Sequence, residues 1–305
     1  MASLRQIRSQ IKSVQSTQQI MRAMQMVSAS KLQRAQARLV QARPGFAYLD
    51  ALVGRLLADQ SLDSASGLAR DVARGAPQAH VAHSLFEERT PRGTQALVVV
   101  TSDTGLCSTY NAHLVTVAER FLEEHGGESW RVIPVGKRGA RYFAKRRWPM
   151  DEGWLELGGR PNPAMLQTIG ANLIERFLSR QVDSLTLAYT KFISPMVYRP
   201  TVEQFLPLAQ PAESTMTEAP PEYIYEPSPA RVLEVALPLW AQTKALVMLL
   251  EAFTSEHSAR MIAMKNASDN AKELSNMLTL KRNKIRQAAI TRELAEIVGT
   301  AEALK

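Results

Sequence analysis

The first stretch of the chain carries apolar residues at helical spacing. Leu4, Ile7 and Ile11 recur every three or four residues, as on one face of an α-helix, and this apolar face continues through Val27. Neither Gly nor Pro occurs before Pro44. The apolar pattern resumes after that proline. It predicts one long helix from about residue 3 to 58, with the proline as a candidate kink.

The other end of the chain shows the same pattern, since neither Gly nor Pro occurs between Leu239 and Val298 and the apolar face continues as far as Leu294. Helices of this length would measure about 80 to 90 Å. A domain of the remaining size has a radius of gyration of only about 16 Å. An amphipathic helix that long needs a partner for its apolar stripe. Because the chain leaves along one helix and returns along the other, we expect an antiparallel coiled coil.

Between the two helices, short apolar runs alternate with helical patterns. The runs 96–101, 131–135, 184–193 and 199–205 are typical of strands, and the last two are expected to form a hairpin. This alternation predicts the α/β class, with a central open, Rossmann-like domain beside the long antiparallel coiled coil. The predicted division is a helix over 1–58, the α/β domain over 59–208, a Pro-rich linker over 209–230 and a helix over 231–305.

Positive charge is concentrated at the ends of the 305-residue chain, whose net charge is +8. Residues 1–49 contain eight basic residues and no acid, because the first acid is Asp50. Such asymmetry indicates an anionic partner for the ends. Three explanations remain open for the basic start: a transit peptide, an arm that binds nucleic acid, or a helix that contacts an acidic protein surface.

The sequence offers no convincing catalytic, cofactor or metal site. Cys107 is the only cysteine, and no G-x-G motif occurs, so a disulfide and a phosphate-binding loop are both unsupported. Cys107 could be a nucleophile, but the sequence fixes no histidine near it, which favours a structural thiol. Asp103 and Asn111 could form a catalytic pair, but a turn and a helix cap explain them better. We expect a non-enzymatic chain without a cofactor or a metal.

Four blocks of sequence carry a family resemblance. Residues 1–32, 255–267 and 286–299, with the Thr-Ser-Asp and Gly-Leu-Cys residues at 101–107, closely resemble the gamma subunit of F-type ATP synthases, in the same order along the chain. The resemblance departs from the family pattern at Thr104, Ser108 and Thr109, where the family usually has Arg and small residues.

The resemblance implies a rotor subunit in the central stalk of a proton-translocating ATP synthase. The end helices would form a shaft inside a ring of three alpha and three beta subunits, and the α/β domain a foot that binds the epsilon subunit and the c-subunit ring. Rotation of the c-ring would then be coupled to ATP synthesis or hydrolysis at the beta subunits, with regulation of ATPase activity and proton flow. The chain would be peripheral on the cytoplasmic face of a bacterial plasma membrane, with neither nucleic acid nor a small-molecule substrate of its own.

Matching residue by residue, the resemblance assigns contacts between rotor and stator to both ends of the chain. Met24 and its neighbours Arg22, Gln25 and Met26 would meet acidic loops of the beta subunits, with Arg260 facing the same region. The contacts to the upper sleeve of the ring would be Arg286, Gln287, Thr291, Glu293 and Glu296.

Two alternatives to a rotor subunit remain to be tested. A basic coiled-coil protein that binds nucleic acid would show an affinity that falls steeply with salt. An α/β enzyme with a helical stalk would have a polar pocket with perturbed titratable groups at the strand ends of the central domain.

Overall fold

The computed structural model describes residues 4–65, 84–89, 93–126, 129–158, 162–208 and 225–303. The elements, in chain order, are α1 (Leu4–Ala65), β1 (Gln95–Val100), α2 (Tyr110–Glu124), β2 (Trp130–Val135), α3 (Lys137–Lys145), α4 (Pro163–Leu178), β3 (Ser184–Ser194), β4 (Val197–Leu206) and α5 (Pro229–Ala303). All of the predicted strands and the hairpin are present.

The long helices differ slightly from their predicted bounds. α1 continues to Ala65 instead of ending at 58, and α5 begins at Pro229 instead of 231. Pro44 lies inside α1 and Pro238 inside α5. Residues 66–83 and 90–92 of the expected α/β domain, and most of the linker expected over 209–230, lie outside the described residues.

Two contacts between α1 and α5 fix the direction of their pairing. Arg43 forms an ion pair with Glu251 at 2.8 Å, and the Trp240 indole N–H donates to Asp50 Oδ1 at 3.1 Å. A later position in α1 is therefore matched by an earlier position in α5. The two helices run antiparallel, as their sequence patterns predict.

The chain divides into two compact units. The first consists of Met1–Ser30 with Arg260–Lys305, and the second of Lys31–Ala259. The two ends of the chain thus belong to one unit. In the first unit Ile7 and Met264 are buried, at 1% and 3% exposure. The prediction that the ends pair is confirmed.

One position on the predicted apolar face of α1 is wrong. Val27 is 56% exposed, whereas its neighbour Ser28 is 3% exposed and donates to the Met24 carbonyl at 2.8 Å. Ser268 and Ser275 of α5 are buried in the same unit. A small side chain that bonds its own helix backbone can lie in a tight helix seam, where a larger residue would hold the helices apart.

The second unit contains a four-stranded mixed sheet in the order β2-β1-β3-β4. β1 is parallel to β2 and β3, and β3 is antiparallel to β4. α2 places Leu114 and Ala118, four residues apart, in one core with Leu97 and Val99 of β1. Residues two apart lie on one face of a strand, and residues four apart lie on one face of a helix. The apolar spacing in each element therefore matches the face that it buries.

α5 is also long and apolar enough to cross a membrane, judged by length and composition over its described residues. Half of its most apolar window is buried inside the chain. The core helix of a protein that does not cross a membrane can have the same composition, so length and apolar character alone do not indicate a membrane span.

We expect Gly45→Ala to stabilise the chain by about 0.5 to 1 kcal/mol, because alanine restricts the unfolded chain and favours the helix. Gly45 lies inside α1, and a Cβ built there meets no atom within 4 Å among the described residues. Denaturant unfolding monitored by circular dichroism measures the change. An equal or lower midpoint would contradict the expectation of an open, regular helix at this position.

Candidate functional site

The carboxyl end of β1 is where an open α/β sheet normally binds its ligand, and here its polar groups bond to one another. The Asn111 amide donates to Ser102 Oγ at 2.7 Å and to Cys107 Sγ at 3.1 Å, and its oxygen accepts the Ser102 backbone N–H at 3.0 Å. Cys107 is 2% exposed. The geometry is that of a closed turn with a structural thiol.

Asp103 ties three backbone segments together. Its Oδ1 accepts from the N–H groups of Lys137 and Glu156, both at 3.2 Å, and its Oδ2 accepts from Gly158 at 3.1 Å. Lys137 is the first residue of α3, so the carboxylate also satisfies a free N–H at the start of that helix. These bonds are those of a turn and a helix cap, in line with the interpretation from sequence.

The β2–α3 turn approaches β1 too closely to cradle a phosphate between them. A Cβ at Gly136 would lie 2.2 Å from the Thr101 carbonyl oxygen, and one at Gly139 would lie 2.9 Å from Thr101 Oγ1. That hydroxyl accepts the Gly139 N–H at 2.8 Å. The gap between the two strand ends is filled by the chain's own backbone.

The crevice between β1 and β3 is occupied by α5. The Tyr110 hydroxyl, at the end of the loop that follows β1, donates to the Ala252 carbonyl at 3.0 Å. On the other side, Ser255 Oγ donates to the Thr190 carbonyl at 3.0 Å, and Ser258 Oγ donates to the Pro195 carbonyl. We call α5 from Glu251 to Ala259, with these partners, the α5 junction.

Every residue of α5 from 251 to 259 is buried. β3 pairs with β1 only as far as Ala188, so the carbonyls beyond it are not used by that strand. Pro200 lies opposite Thr190 and has no N–H to donate. The hydroxyls of α5 supply the missing donors, which is why a polar helical segment can be fully buried here.

The junction also holds the ion pair between the two long helices. Arg43 Nη2 donates to the Phe192 carbonyl at 2.8 Å as well as to Glu251. The Glu251 side chain is 6% exposed, and its Oε2 has no hydrogen-bond partner among the described residues. The Arg43 guanidinium therefore joins α1 both to β3 and to the buried Glu251 carboxylate of α5.

Tyr189 lies beside this pair with a perturbed hydroxyl. Burial raises the pKa of Tyr189, and the negative charges of Glu203 and Glu251 raise it further. Its hydroxyl donates to Glu203 Oε2 at 3.2 Å, and Lys244 pairs with Glu203 at 3.3 Å. The folded state therefore favours the neutral phenol.

This shift predicts a loss of stability at high pH. Because the folded pKa is raised, the stabilisation is complete below the unfolded value of 10.0 and falls as pH rises above it. One proton gives a slope of up to about 1.4 kcal/mol per pH unit. Denaturant midpoints at pH 9 and 10.5 should fall less for Tyr189→Phe than for the unmodified chain. Equal slopes would show that Tyr189 does not carry the effect.

All ten sequence-predicted contact residues lie in the unit formed by the chain ends. Arg22 is exposed, Met26 is 61% exposed, and Met24 and Gln25 are partly buried. Arg260 is 7% exposed, so little of its side chain is available to another protein. The five expected sleeve contacts are all exposed, namely Arg286, Gln287, Thr291, Glu293 and Glu296.

The C-terminal part of α5 presents an apolar stripe that intramolecular pairing does not cover. Every side chain from Ile290 to Thr300 is exposed. Ile290, Leu294, Ile297 and Val298 are 48%, 57%, 64% and 62% exposed, and their spacing puts them on one helix face. The apolar pattern predicts Leu294 inside the coiled coil, but the structure shows it exposed. Helical periodicity alone does not distinguish a stripe that packs within the chain from one that packs against another protein.

The chemistry of the site is that of a scaffold. No group of three His, Cys, Asp or Glu side chains in the described part of the chain could hold a metal ion. The crevice that an α/β enzyme would use is filled by α5, and an exposed apolar stripe lies near the end of that helix. The fold defines a mixed α/β protein whose two long terminal helices run antiparallel.

Comparison with known proteins identifies the family. The family model described as ATP synthase matches residues 3–304. The ATP synthase gamma chain of Moorella thermoacetica is 39% identical over 305 residues and covers 100% of both chains. That of Geotalea daltonii is 40% identical over 307 residues, with 100% of both chains covered. The chain belongs to the ATP synthase gamma chain family.

Two solved structures share the fold. A chain of the Euglena gracilis mitochondrial ATP synthase, OSCP/F1/c-ring, aligns with a TM-score of 0.64 at 17% identity, covering 99% of this chain and 94% of that one. A chain of the Tetrahymena thermophila mitochondrial ATP synthase central stalk/c-ring aligns with a TM-score of 0.58 at 24% identity, covering 82% and 99%.

Family membership settles the general function. The chain is a central-stalk gamma subunit, a non-catalytic part of the rotary ATP synthase, and it associates with the membrane through that complex. The nucleic-acid alternative is not favoured, since the matches cover the whole chain, including its basic ends.

Proposed function

We propose that this chain couples rotation of a membrane c-ring to ATP synthesis and hydrolysis at the beta subunits. The partners would be a ring of three alpha and three beta subunits, the epsilon subunit and the c-ring. The complex would lie on the cytoplasmic face of a bacterial plasma membrane. The observation that carries the proposal is the compact unit made from both ends of the chain, with most expected contact residues on its surface.

A rotating shaft must act on each beta subunit differently at each angle. A protein shifts another's equilibrium only through contacts that differ between the two states. One asymmetric pair of helices inside a threefold ring supplies that difference. The mixed surface at Arg22 and Met26 supports movable contacts, since exposed charges and a flexible thioether make weak, adaptable interactions.

The α5 junction supports the mechanical part of the proposal. Torque applied to the α/β domain must be transmitted to the long helices without slipping between the domain and α5. Ser255, Ser258, Tyr110 and Arg43 bond the sheet end to α5, and the helix is buried on all sides there. Directional hydrogen bonds in a dry, close-packed seam resist slipping more than an apolar contact alone.

Arg260 takes a different part in this proposal from the exposed contacts. Its burial suits a residue that holds the shape of the shaft behind the contact surface. Contact with the beta subunits is then proposed for Arg22, Met24, Gln25 and Met26, and the sleeve contact for the five exposed residues near the end of α5.

We expect Leu294→Glu to weaken assembly with the alpha and beta subunits at least about tenfold, because it places a charge in the exposed stripe that the sleeve would bury. Ala295→Glu introduces the same charge at an adjacent exposed position, off the stripe, and should cost less. Co-purification of tagged variants with alpha and beta measures the effect. Equal losses for the two variants would count against the stripe.

The proposal as a whole is tested by coupling. The purified complex containing this chain should hydrolyse ATP and pump protons into vesicles, whereas the isolated chain should have no ATPase activity. ATPase activity of the isolated chain, or failure to co-purify with alpha and beta subunits, would overturn the proposal.

A further inference from the structure

The β3–β4 hairpin projects beyond the rest of the sheet. β1 pairs with β3 only as far as Ala188, whereas β3 and β4 remain paired up to Ser194 and Val197. Residues 189–201 therefore form a two-stranded ribbon, of which one edge is bonded to α5 through the Thr190 carbonyl and to Arg43 of α1 through the Phe192 carbonyl. Its other surface is open.

Two positive charges face each other across this ribbon. Lys191 is directly opposite Arg199 in the strand register, and both side chains are exposed. Directly opposite residues project on the same face, and like charges in that position destabilise a sheet. The acids nearest along the hairpin and α5 have other partners, because Glu203 pairs with Lys244 and Glu251 with Arg43. Neither Lys191 nor Arg199 forms an ion pair with any described residue.

The end of the same ribbon exposes three apolar side chains. Ile193, Met196 and Val197 are 50%, 81% and 44% exposed, with Met196 in the turn between the strands. An apolar cluster next to unpaired charges is typical of a protein interface, where the apolar part supplies burial and the charges supply specificity. We call the exposed face formed by Lys191, Ile193, Met196, Val197 and Arg199 the hairpin surface.

We propose that the hairpin surface binds an acidic segment, bearing at least one apolar side chain, of another subunit that rotates together with this chain. Carboxylates would neutralise the opposed Lys191 and Arg199, and the apolar side chain would cover Met196. Lys191 and Arg199 are held at directly opposed positions of one ribbon, whereas Arg22 and Met26 are separate side chains on a helix. A contact to both charges is therefore fixed in direction and suits a partner that moves with the rotor. The inference rests on the proposed function.

The partner can be identified by carbodiimide coupling in the purified complex. The reagent activates a carboxylate, the Lys191 amine displaces it to form an amide, and the reagent leaves as its urea. We expect a peptide containing Lys191 joined to an Asp or Glu of another subunit, found by mass spectrometry. Lys191→Gln should lose that product, whereas Lys145→Gln, at another exposed lysine, should keep it.

ATPase turnover distinguishes a partner that rotates with this chain from a partner on the stator. If the joined subunit rotates with this chain, complexes carrying the Lys191 product should keep at least about half of their ATPase activity. Loss of turnover in proportion to that product would place the partner on the stator and overturn the inference. So would an assembled complex in which Lys191 joins only carboxylates of its own chain or none.

Charge reversal gives an independent measurement. The double variant Lys191→Glu with Arg199→Glu should retain the joined subunit at least about tenfold more weakly on washing at moderate salt. Arg141→Glu with Lys145→Glu makes the same change of charge on the exposed face of α3 and should retain it normally. Equal retention by both would overturn the inference while leaving the proposed function intact. Failure of the unmodified chain to assemble would overturn both.

Discussion

Gly136→Ala is expected to destabilise the chain by more than about 4 kcal/mol, because two costs combine at one backbone position. The added Cβ would lie 2.2 Å from the Thr101 carbonyl oxygen and 2.8 Å from its carbon, both backbone atoms that cannot rotate away. The φ angle of Gly136 is also +99°, which an L-residue rarely adopts. The β2–α3 turn would have to move away from β1, breaking the bond from the Thr101 N–H to the Val135 carbonyl at 2.7 Å.

Gly126→Ala separates these two costs. Gly126 has a φ of +74°, but a Cβ there meets no atom within 4 Å among the described residues. Only the conformational cost of about 1 to 2 kcal/mol should remain. Thermal and denaturant unfolding of both variants gives the comparison. Equal losses would mean that the approach of Gly136 to Thr101 is looser than the structure has it.

Arg43→Met is expected to cost about 3 to 5 kcal/mol, since removing one partner leaves the Glu251 carboxylate buried without its cation. The Phe192 carbonyl would lose its donor as well. Because 43% of the Arg43 side chain is exposed, water can reach part of the vacated site, which favours the lower end of the range. The measurement is the free energy of unfolding of the full chain in urea.

A double-mutant cycle tests whether the destabilisation by Arg43→Met comes from the uncompensated Glu251 charge or from the loss of side-chain packing. Glu251→Leu alone leaves Arg43 partly solvated and should cost less than Arg43→Met. The double variant Arg43→Met with Glu251→Leu removes both charges and should recover most of the loss. If the double variant were as unstable as the sum of the single variants, the buried charge would not be the cause.

Local patterns in the sequence predict the elements well because they depend on neighbours. Apolar spacing identifies the run at 96–101, and the observed strand is Gln95–Val100. The predicted hairpin is observed as Ser184–Ser194 with Val197–Leu206. The sequence also places Cys107 in a structural role, since no histidine near it could activate the thiol.

The α5 junction could not be predicted in the same way. The run from Thr254 to Ser258 is wholly polar, which indicates a solvated helix face, yet all five residues are at most 3% exposed. Two of them bond to carbonyls of the β3–β4 hairpin, at Thr190 and Pro195, which lie 65 and 63 residues earlier in the chain. The sequence shows that Ser255 and Ser258 have small hydroxyl side chains, but it does not show which carbonyls accept their hydrogen bonds.

The burial of the expected contact residues could likewise be predicted only in part from the sequence. The resemblance places all ten on the end helices, and the structure finds nine of them at least partly exposed. It also finds Arg260 buried, at the end of a continuous run of buried residues that extends from Glu251 to Arg260. Helical periodicity gives the side of a helix on which a residue lies, but the number of neighbours around that helix depends on the tertiary fold.

The filled crevice has a consequence for inhibitor design. In most open α/β proteins the strand ends offer a cavity that a small molecule can enter, and competition with a natural ligand makes such a compound effective. Here the cavity is plugged by Glu251–Ala259 of the same polypeptide, so a compound aimed there would have to displace a helix. Compounds against this subunit would do better to target its outer faces, where they would compete with other proteins instead of metabolites.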